Sequence, residues 1–271
     1  METHTKTATV TVNRIPFQQV EQLSQKDIAY ATKHPKLRPF YNYDTNLAAF
    51  DKVMADKSKD SINRSVLVEV LEAQYDQLEV TEATKANISA LSEPTTFTIT
   101  TAHQPSLATG PLYYIYKIVS AIHLCRSLNK TYPGHRFVPI FVTGGEDHDF
   151  EEVNHLHLFN KEIVWENEES GSVGMMKASS LAPVLAQLKE ILGDRPTAIE
   201  IYQILEKAYT AHDLYSSSTI DLVNQLFGQY GLVVLGMNHP KLKREFIPIM
   251  RQELLEQPSQ AFVHKATAEL E

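Results

Sequence analysis

Two short runs of β-branched and apolar residues, separated by one helix-length segment, constrain the fold of this chain more than any other feature. TFTITTA (Thr96–Ala102) and RFVPIFVTG (Arg136–Gly144) have the composition of β-strands. Between them, a turn at Gly110 leads into Pro111–Asn129, where apolar residues recur at helical spacing. A strand, a helix and a strand over this length predict a βαβ unit. We therefore expect parallel strands joined by a right-handed crossover.

The rest of the chain adds helical patterns, a hairpin and one more strand to this unit, which predicts an α/β fold. GLVVLG is a short apolar run typical of a buried parallel strand, so we expect Leu232–Leu235 to join the same sheet. Alternation over His155–Phe159 and Glu162–Trp165 predicts a hairpin with Trp165 packed at its end. Further helices are predicted at Asn46–Met54, Ser65–Leu78, Leu181–Leu192, Ala198–His212, Ser217–Tyr230 and His239–Gln257.

These patterns divide the chain into four parts. Residues 1–95 form a helical N-terminal region, and residues 96–160 form the first part of the sheet core. An inserted hairpin and helical segment occupies 161–230, and a core strand with its following helix occupies 231–271. AFVHKATAELE (Ala261–Glu271) is still helical in pattern, with no C-cap glycine and no closing strand. We expect the native polypeptide to continue, and this portion alone to lack turnover and to expose an apolar surface.

Composition and charge argue against several classes of protein. The 271 residues are 43% hydrophobic and 21% charged, as in soluble globular proteins, and the net charge of −8 comes without any basic run. We therefore expect no nucleic-acid partner. The longest apolar runs, FVPIFV and GLVVLG, are far shorter than the ~20 residues of a membrane span, so we expect no membrane partner. The single cysteine, Cys125, fits a reducing cytoplasm and lies on an apolar helical stripe, which predicts a buried thiol.

Polar residues follow both strands of the βαβ unit at the point where each strand ends. His103 and Gln104 come directly after the first strand. The second strand runs into TGGEDHD, where four ionisable side chains stand side by side: Glu146, Asp147, His148 and Asp149. They cannot all be buried, because burying unpaired charge is too costly. If the strands are parallel neighbours, both clusters lie at one edge of the sheet, which favours a polar cleft over a surface turn.

Each of these residues also has a purely structural interpretation. A lone histidine such as His103 is more often structural than catalytic, and Lys117 inside a helix is by default a solvated cation. Glu151 and Glu152 could be the acidic first turn of a helix. His155 and His157 share one face of a strand, but spacing places no third ligand beside them, so we expect no metal site.

Three segments, taken together, resemble one known family. They are TAHQPSLATGPLYYIYKIVSAIHL, FVPIFVTGGEDHDFEEVNH and YGLVVLGMNHPKLKREFIPIMRQELL. They are similar to the bacillithiol biosynthesis cysteine-adding enzymes, also called cysteine ligases, from about Thr96 to the C-terminus and more weakly before it. The resemblance implies a Rossmann-like core related to nucleotidyltransferases and class I aminoacyl-tRNA synthetases. It also implies inserted connecting segments, and a homodimer formed through a C-terminal coiled coil absent from this chain.

The activity that the resemblance implies is the last step of bacillithiol synthesis, in which L-cysteine is joined to glucosaminyl-malate through an amide bond. Forming an amide from a free acid is uphill, so ATP or another nucleotide is expected, although the cofactor stays open. No P-loop and no G-x-G-x-x-G sequence occurs, so a nucleotide would use the helix start near Gly110 and the strand ends. Alternatives are a nucleotidyltransferase or metal-dependent hydrolase on the same scaffold, or a non-catalytic assembly or regulatory module.

The site residues that the resemblance implies fall into two groups. The catalytic group is His103, Asp147 and His148, and the group that binds substrate or cofactor is Gln104, Gly110, Tyr113, Lys117, Glu146, Asp149 and Asn154. His103 and Lys117 would hold an anionic group, and Asp147 or His148 would take a proton from the incoming amine. Glu146 and Asp149 would orient that base or bind glucosamine hydroxyls.

This sequence departs from the family pattern at three places. Ala102 stands where the family usually has glycine, and Gly144-Gly145 stands where a bulkier pair is common. Gly236, Met237 and Asn238 follow the last strand, where acidic residues are frequent in the family. The last departure puts in doubt any role for a carboxylate at that strand end.

Overall fold

The computed structural model describes residues 11–270, which form a mostly helical α/β fold. Its strands are β1 (Thr96–His103), β2 (Arg136–Thr143), β3 (His155–Leu158), β4 (Lys161–Val164) and β5 (Val233–Gly236). Its helices are α1 (Gln25–Ala31), α2 (Phe50–Lys57), α3 (Arg64–Tyr75), α4 (Glu82–Ala90), α5 (Leu112–Thr131), α6 (Phe150–Val153), α7 (Ala182–Leu192), α8 (Pro196–Thr210), α9 (Tyr215–Phe227), α10 (Pro240–Glu256) and α11 (Pro258–Leu270). Residues 1–10, assigned from sequence to the helical N-terminal region, and Glu271, assigned to the last helix, lie outside the described residues.

The parallel sheet predicted from the βαβ pattern is confirmed. Its order is β1-β2-β5, and both pairs are parallel. The register sets His103 opposite Thr143, and Thr143 opposite Gly236, so the three strands end level with one another. All three loops that follow these strands therefore leave the sheet at the same edge.

Each face of the sheet is covered by a pair of helices. Helices α5 and α9 pack on one face through residues such as Tyr114, Ile118 and Val223. Two successive right-handed crossovers that move in the same direction along a sheet place both helices on the same face, as observed. Helices α3 and α4 cover β2 and β5 on the other face through Leu71 and Ile88. The predicted buried thiol is also confirmed, since Cys125 lies in the core. This burial raises the pKa of its thiol to about 12.

The segment between β2 and β5 builds its own hydrophobic core. Strands β3 and β4 form the predicted antiparallel hairpin, and Trp165 at its end is fully buried. Its indole Nε1 donates a hydrogen bond to Ser180 Oγ at 2.9 Å, and its ring lies 4.5 Å from that of Tyr215. The hairpin, α7 and α8 thus pack around one aromatic centre.

Helix boundaries differ from the sequence predictions by a few residues, for local reasons. The helix predicted from Asn46 begins as α2 at Phe50, because Asn46 Oδ1 accepts a hydrogen bond from Ala49 N–H and closes a short 3₁₀ turn first. Helix α10 continues through Pro248, as the sequence allowed. The four-part division at residues 95, 160 and 230 stays a prediction.

The two edge strands of the parallel sheet, β5 and β1, differ in how the helices beside them cover them. On the outer edge of β5, the side-chain amide of Gln74 donates to Val234 O at 2.8 Å and accepts from Gly236 N–H at 2.9 Å. Tyr75 Oη accepts the N–H of Val234 at 2.7 Å. Two side chains of α3 therefore occupy hydrogen-bonding positions that another strand would use. On β1, by contrast, the side chains of Thr98 and Thr100 are exposed.

The chain separates into two compact units, one within residues 1–56 and 259–271 and the other within residues 57–258. The parallel sheet, its covering helices and the hairpin all lie in the second unit. In that unit, α10 exposes large apolar side chains, among them Ile247, Ile249 and Met250. None of the helices within residues 11–270 is long and apolar enough to cross a membrane.

Replacing Gln74 with leucine tests the side-chain cap on β5. The Gln74→Leu variant keeps the size of the side chain but leaves Val234 O and Gly236 N–H without their partner. We expect the free energy of unfolding to fall by about 2 kcal/mol, the usual cost of orphaned backbone groups. Urea denaturation followed by circular dichroism measures this. The control is Gln77→Leu, an exposed glutamine beyond the end of α3, for which a change within about 0.5 kcal/mol is expected. Equal losses in both variants would contradict the cap.

Candidate active site

The loops that follow β1 and β2 meet at the carboxyl edge of the sheet. Gly144 N–H donates to His103 O at 2.9 Å and extends the pairing of β1 and β2 past the ends of the strands. Next to this bond, the amide Nε2 of Gln104 donates to Asp147 Oδ2 at 2.7 Å and to Glu152 Oε2 at 3.1 Å. The two polar clusters identified in the sequence are therefore joined directly through Gln104.

Asp147 is held by hydrogen bonds at both of its carboxylate oxygens. Oδ1 accepts the backbone N–H of Asp149 at 3.0 Å, while Oδ2 accepts the amide of Gln104. The N–H of Asp149, followed by the side chain of Gln104, lowers the pKa of Asp147 below the usual aspartate value. Because these donors stabilise the ionised form, Asp147 is an anion at neutral pH and a weak base.

Asp149 has a structural role at the start of α6. It is the N-cap residue, and its Oδ1 accepts the N–H of Glu152 at 3.2 Å. Glu151 and Glu152 lie in the first turn of this helix, as the structural interpretation of the sequence predicted. Glu152 also accepts a hydrogen bond from Gln104, so the first turn of α6 borders the polar cluster.

His103 lies with Tyr113 and Lys117 on the β1 side of the cluster. Its Nε2 is 3.1 Å from Tyr113 Oη, and its Nδ1 is 3.1 Å from Gln104 O. A carbonyl oxygen only accepts, so this contact requires a proton on Nδ1. Lys117 Nζ lies 5.2 Å from the centre of the Tyr113 ring and 3.4 Å from Ala102 O.

Three of the predicted site residues lie away from this cluster or at its margin. Glu146 forms an ion pair with Lys243 of α10. Asn154 ends α6, its backbone oxygen accepts Trp165 N–H at 2.7 Å, and its side chain contacts His155. His148 is exposed on the loop beside Asp147.

The loop between His103 and α5 has an unusual backbone. Ala108, Thr109 and Gly110 all have positive φ, at 47°, 74° and 59°. At Gly110 a side chain is excluded, since a Cβ atom there would lie 2.6 Å from Ser106 Cβ. Non-glycine residues in this conformation persist only where surrounding contacts hold them. Here the hydroxyl of Tyr209, a buried residue of α8, accepts the N–H of Ala108 at 2.8 Å. Tyr209 was not predicted, because no local pattern marks a partner so distant in the chain.

A cavity of about 280 Å³ opens at the carboxyl ends of β2 and β5. The residues that line it come from separate parts of the chain and include Gln74, Gly145, Gly174, Ser216, Gly236 and Asn238. The sequence drew attention only to Gly145 and to Gly236–Asn238, as departures from a family pattern. Gly174 has a steric reason to be glycine, since a Cβ there would lie 2.6 Å from Gly145 O.

Within residues 11–270, no group of three or more His, Cys, Asp or Glu side chains is arranged to hold a metal ion. The rings of His155 and His157 lie 6.0 Å apart, and His157 is 3.7 Å from Glu162 across the hairpin.

Comparison with known proteins places this geometry in a family. The family model described as "Bacillithiol biosynthesis BshC, N-terminal Rossmann-like domain" matches residues 10–271. Among curated proteins, "Putative cysteine ligase BshC" of Flavobacterium psychrophilum is 39% identical over 259 residues, covering 94% of this chain and 49% of that protein. The protein of the same name from Flavobacterium johnsoniae is 38% identical over 243 residues, covering 89% and 46%. The one from Bacillus cytotoxicus is 26% identical over 223 residues, covering 79% and 41%. The chain spans about half the length of these curated relatives.

Removing the hydroxyl of Tyr209 tests whether it holds the loop before α5. In Tyr209→Phe the N–H of Ala108 loses its acceptor, so we expect the free energy of unfolding to fall by about 1–3 kcal/mol. Amide hydrogen exchange should also become faster within residues 106–110. The control is Tyr202→Phe on the same helix. The hydroxyl of Tyr202 donates to the exposed Glu206 at 2.8 Å, so its removal should change the free energy of unfolding little. Unchanged exchange at Ala108 in Tyr209→Phe would show that other contacts hold the loop.

Proposed function

The chain belongs to the bacillithiol biosynthesis BshC family, and from this membership we propose that the full-length protein is a ligase that joins L-cysteine to glucosaminyl-malate. The product is an amide, and the reaction is the last step of bacillithiol synthesis. The support is the family match over residues 10–271 and the names of the curated relatives. The observation that links the proposed function to this site is the 2.7 Å hydrogen bond from Gln104 to Asp147, which joins the motif after β1 to the motif after β2.

The chemistry sets what the site must supply. A carbon–nitrogen bond forms between the carboxyl carbon of cysteine and the amine of the glucosamine ring. The amine loses a proton, and the carboxyl group loses an oxygen. We propose that a nucleoside triphosphate would transfer a phosphoryl or nucleotidyl group to this oxygen, because condensation of a free acid is uphill in water. The oxygen would then leave in phosphate or in nucleoside monophosphate when the amine attacks. The protein then has to position both substrates, stabilise negative charge and accept the proton.

The β1 side of the cluster is suited to the anionic groups. Lys117 is exposed on the first turns of α5, and its contacts are the Tyr113 ring and a backbone oxygen rather than a carboxylate. His103 lies next to it, bonded to Tyr113. We propose that these two side chains hold a carboxylate of the malate group or the negative charge that develops in the reaction. Fixed donors stabilise such charge more than mobile water does.

The β2 side is suited to proton transfer. Asp147 has a lowered pKa, so it accepts a proton poorly and serves better as a fixed anion that positions neighbouring groups. His148 is adjacent and exposed, and we propose that it accepts the proton from the incoming amine. Asp149 and Gln104 hold Asp147 in place. We propose that the neighbouring carboxylates bind sugar hydroxyls.

We further propose that the protein works in the cytoplasm as a homodimer formed through a helical coiled coil. The resemblance to the family supports this assembly. Light scattering of the full-length protein measures the assembly directly.

A deletion strain complemented with variants of the full-length gene tests the reaction. Thiols are profiled by mass spectrometry, and the purified variants are melted to check that they are folded. The deletion should remove bacillithiol and accumulate glucosaminyl-malate. We expect His103→Ala and Asp147→Asn to lower bacillithiol at least about tenfold with little change in melting temperature, since both residues are part-exposed.

Matched controls use exposed residues outside the cluster. His123→Ala on α5 and Asp194→Asn before α8 make the same chemical changes and should restore wild-type bacillithiol. A normal thiol profile in the deletion strain would refute the proposed function. Full complementation by His103→Ala or Asp147→Asn would refute the role of that residue.

A further inference from the structure

The cavity between the ends of β2 and β5 is lined by uncharged residues apart from one histidine, His239. Val70, Ile220 and Met237 contribute apolar surface. The described residues that line the cavity include no lysine, arginine, aspartate or glutamate. Glycines keep its space open. A Cβ at Gly236 would lie 3.1 Å from Ile220 Cδ1, and one at Gly145 would lie 3.6 Å from Ser216 Cβ. The cavity therefore accepts a small uncharged group.

Two oppositely charged residues, Glu146 and Lys243, are close in sequence to residues that line this cavity and pair with each other. Glu146 directly follows Gly145, which lines the cavity, and it forms an ion pair with Lys243. Lys243 lies one helical turn after the cavity-lining His239, to whose oxygen its N–H donates at 3.0 Å. Both side chains are about half exposed, at 46% and 54%, so the pair contributes little stability and separates readily.

We propose that this cavity is the cysteine subsite of the ligase. The side chain of cysteine enters the neutral cavity, its ammonium group binds Glu146 and its carboxylate binds Lys243. The ion pair between Glu146 and Lys243 is thereby replaced by two ion pairs, one between each of these side chains and the oppositely charged group of cysteine. The inference rests on the proposed function for the identity of the amino acid, and it assigns Glu146 to cysteine rather than to the sugar.

The other substrate does not fit this chemistry. Glucosaminyl-malate carries two carboxylates and several hydroxyl groups, which require charged and hydrogen-bonding side chains rather than a neutral cavity. Such groups lie on the β1 side, where Lys117 and His103 stand beside Gln104. Gly145 and Asp147 are two residues apart, so the two subsites adjoin.

Binding to the full-length protein tests the proposal without depending on turnover. Isothermal titration calorimetry with L-cysteine, cysteamine and 3-mercaptopropionate separates the contributions of the thiol side chain, the ammonium group and the carboxylate. Cysteamine lacks the carboxylate and 3-mercaptopropionate lacks the ammonium group. We expect each to bind at least about tenfold more weakly than cysteine, the effect of losing roughly 1.4 kcal/mol. Equal binding of all three thiols would overturn the zwitterion contacts.

Two variants test the location. Ala73→Leu places a larger side chain at the cavity from an exposed position on α3, where leucine is a good helix former. Lys243→Met removes the cation of the Glu146–Lys243 pair. Both should weaken cysteine binding at least tenfold. The control Lys85→Met, which removes the cation of the Lys85–Glu82 pair on α4, should bind cysteine as the wild type does. Unchanged affinity in both Ala73→Leu and Lys243→Met would overturn the proposal.

Failure of this inference and failure of the proposed function give different results. If the wild type makes the amide product and Ala73→Leu and Lys243→Met do so with an unchanged KM for cysteine, the function stands and the cysteine subsite is wrong. If cysteine binding is weakened as expected but no condition yields the amide, the subsite stands and the proposed reaction is wrong.

Discussion

The level ending of three parallel strands is the constraint on which the rest of the structure depends. Because His103, Thr143 and Gly236 are in register, the loops after β1, β2 and β5 leave the sheet side by side. Backbone hydrogen bonds fix this register, and a shift by one residue would turn each buried side chain to the opposite face. The bond from Gln104 to Asp147 and the neutral cavity both follow from that alignment.

The sequence predicted those parts of the fold that rest on local patterns. The strands, α5 and the hairpin are specified by residue type and spacing. Parallel pairing then sets the loop after β1 beside the loop after β2, where Gln104 contacts Asp147. Contacts between distant segments could not be predicted in this way. Tyr209 looks like any apolar position of a helix, although its hydroxyl holds Ala108. Glu146 stands among acidic residues in the sequence, but the position of α10 pairs it with Lys243.

The segment between β2 and β5 supports the site as well as connecting the strands. Val173 N–H donates to Asp147 O at 2.8 Å, and Gly174 N–H donates to Gly145 O at 2.9 Å. The second contact needs glycine at 174, because a Cβ there would collide with the backbone of Gly145. With Tyr209 holding the loop before α5, this segment contacts both of the loops that carry polar clusters. Substitutions far from the polar side chains can therefore displace them.

The unequal edges of the sheet determine where it can be extended. Gln74 and Tyr75 occupy the outer edge of β5, so no strand can pair there without displacing α3. On β1, Thr98 and Thr100 remain exposed. Extension of the sheet beyond β5 is therefore blocked, and a strand added parallel to β1 would end beside His103. The polar cluster would then lie in the interior of a wider sheet, flanked by loops on both sides, instead of at its margin.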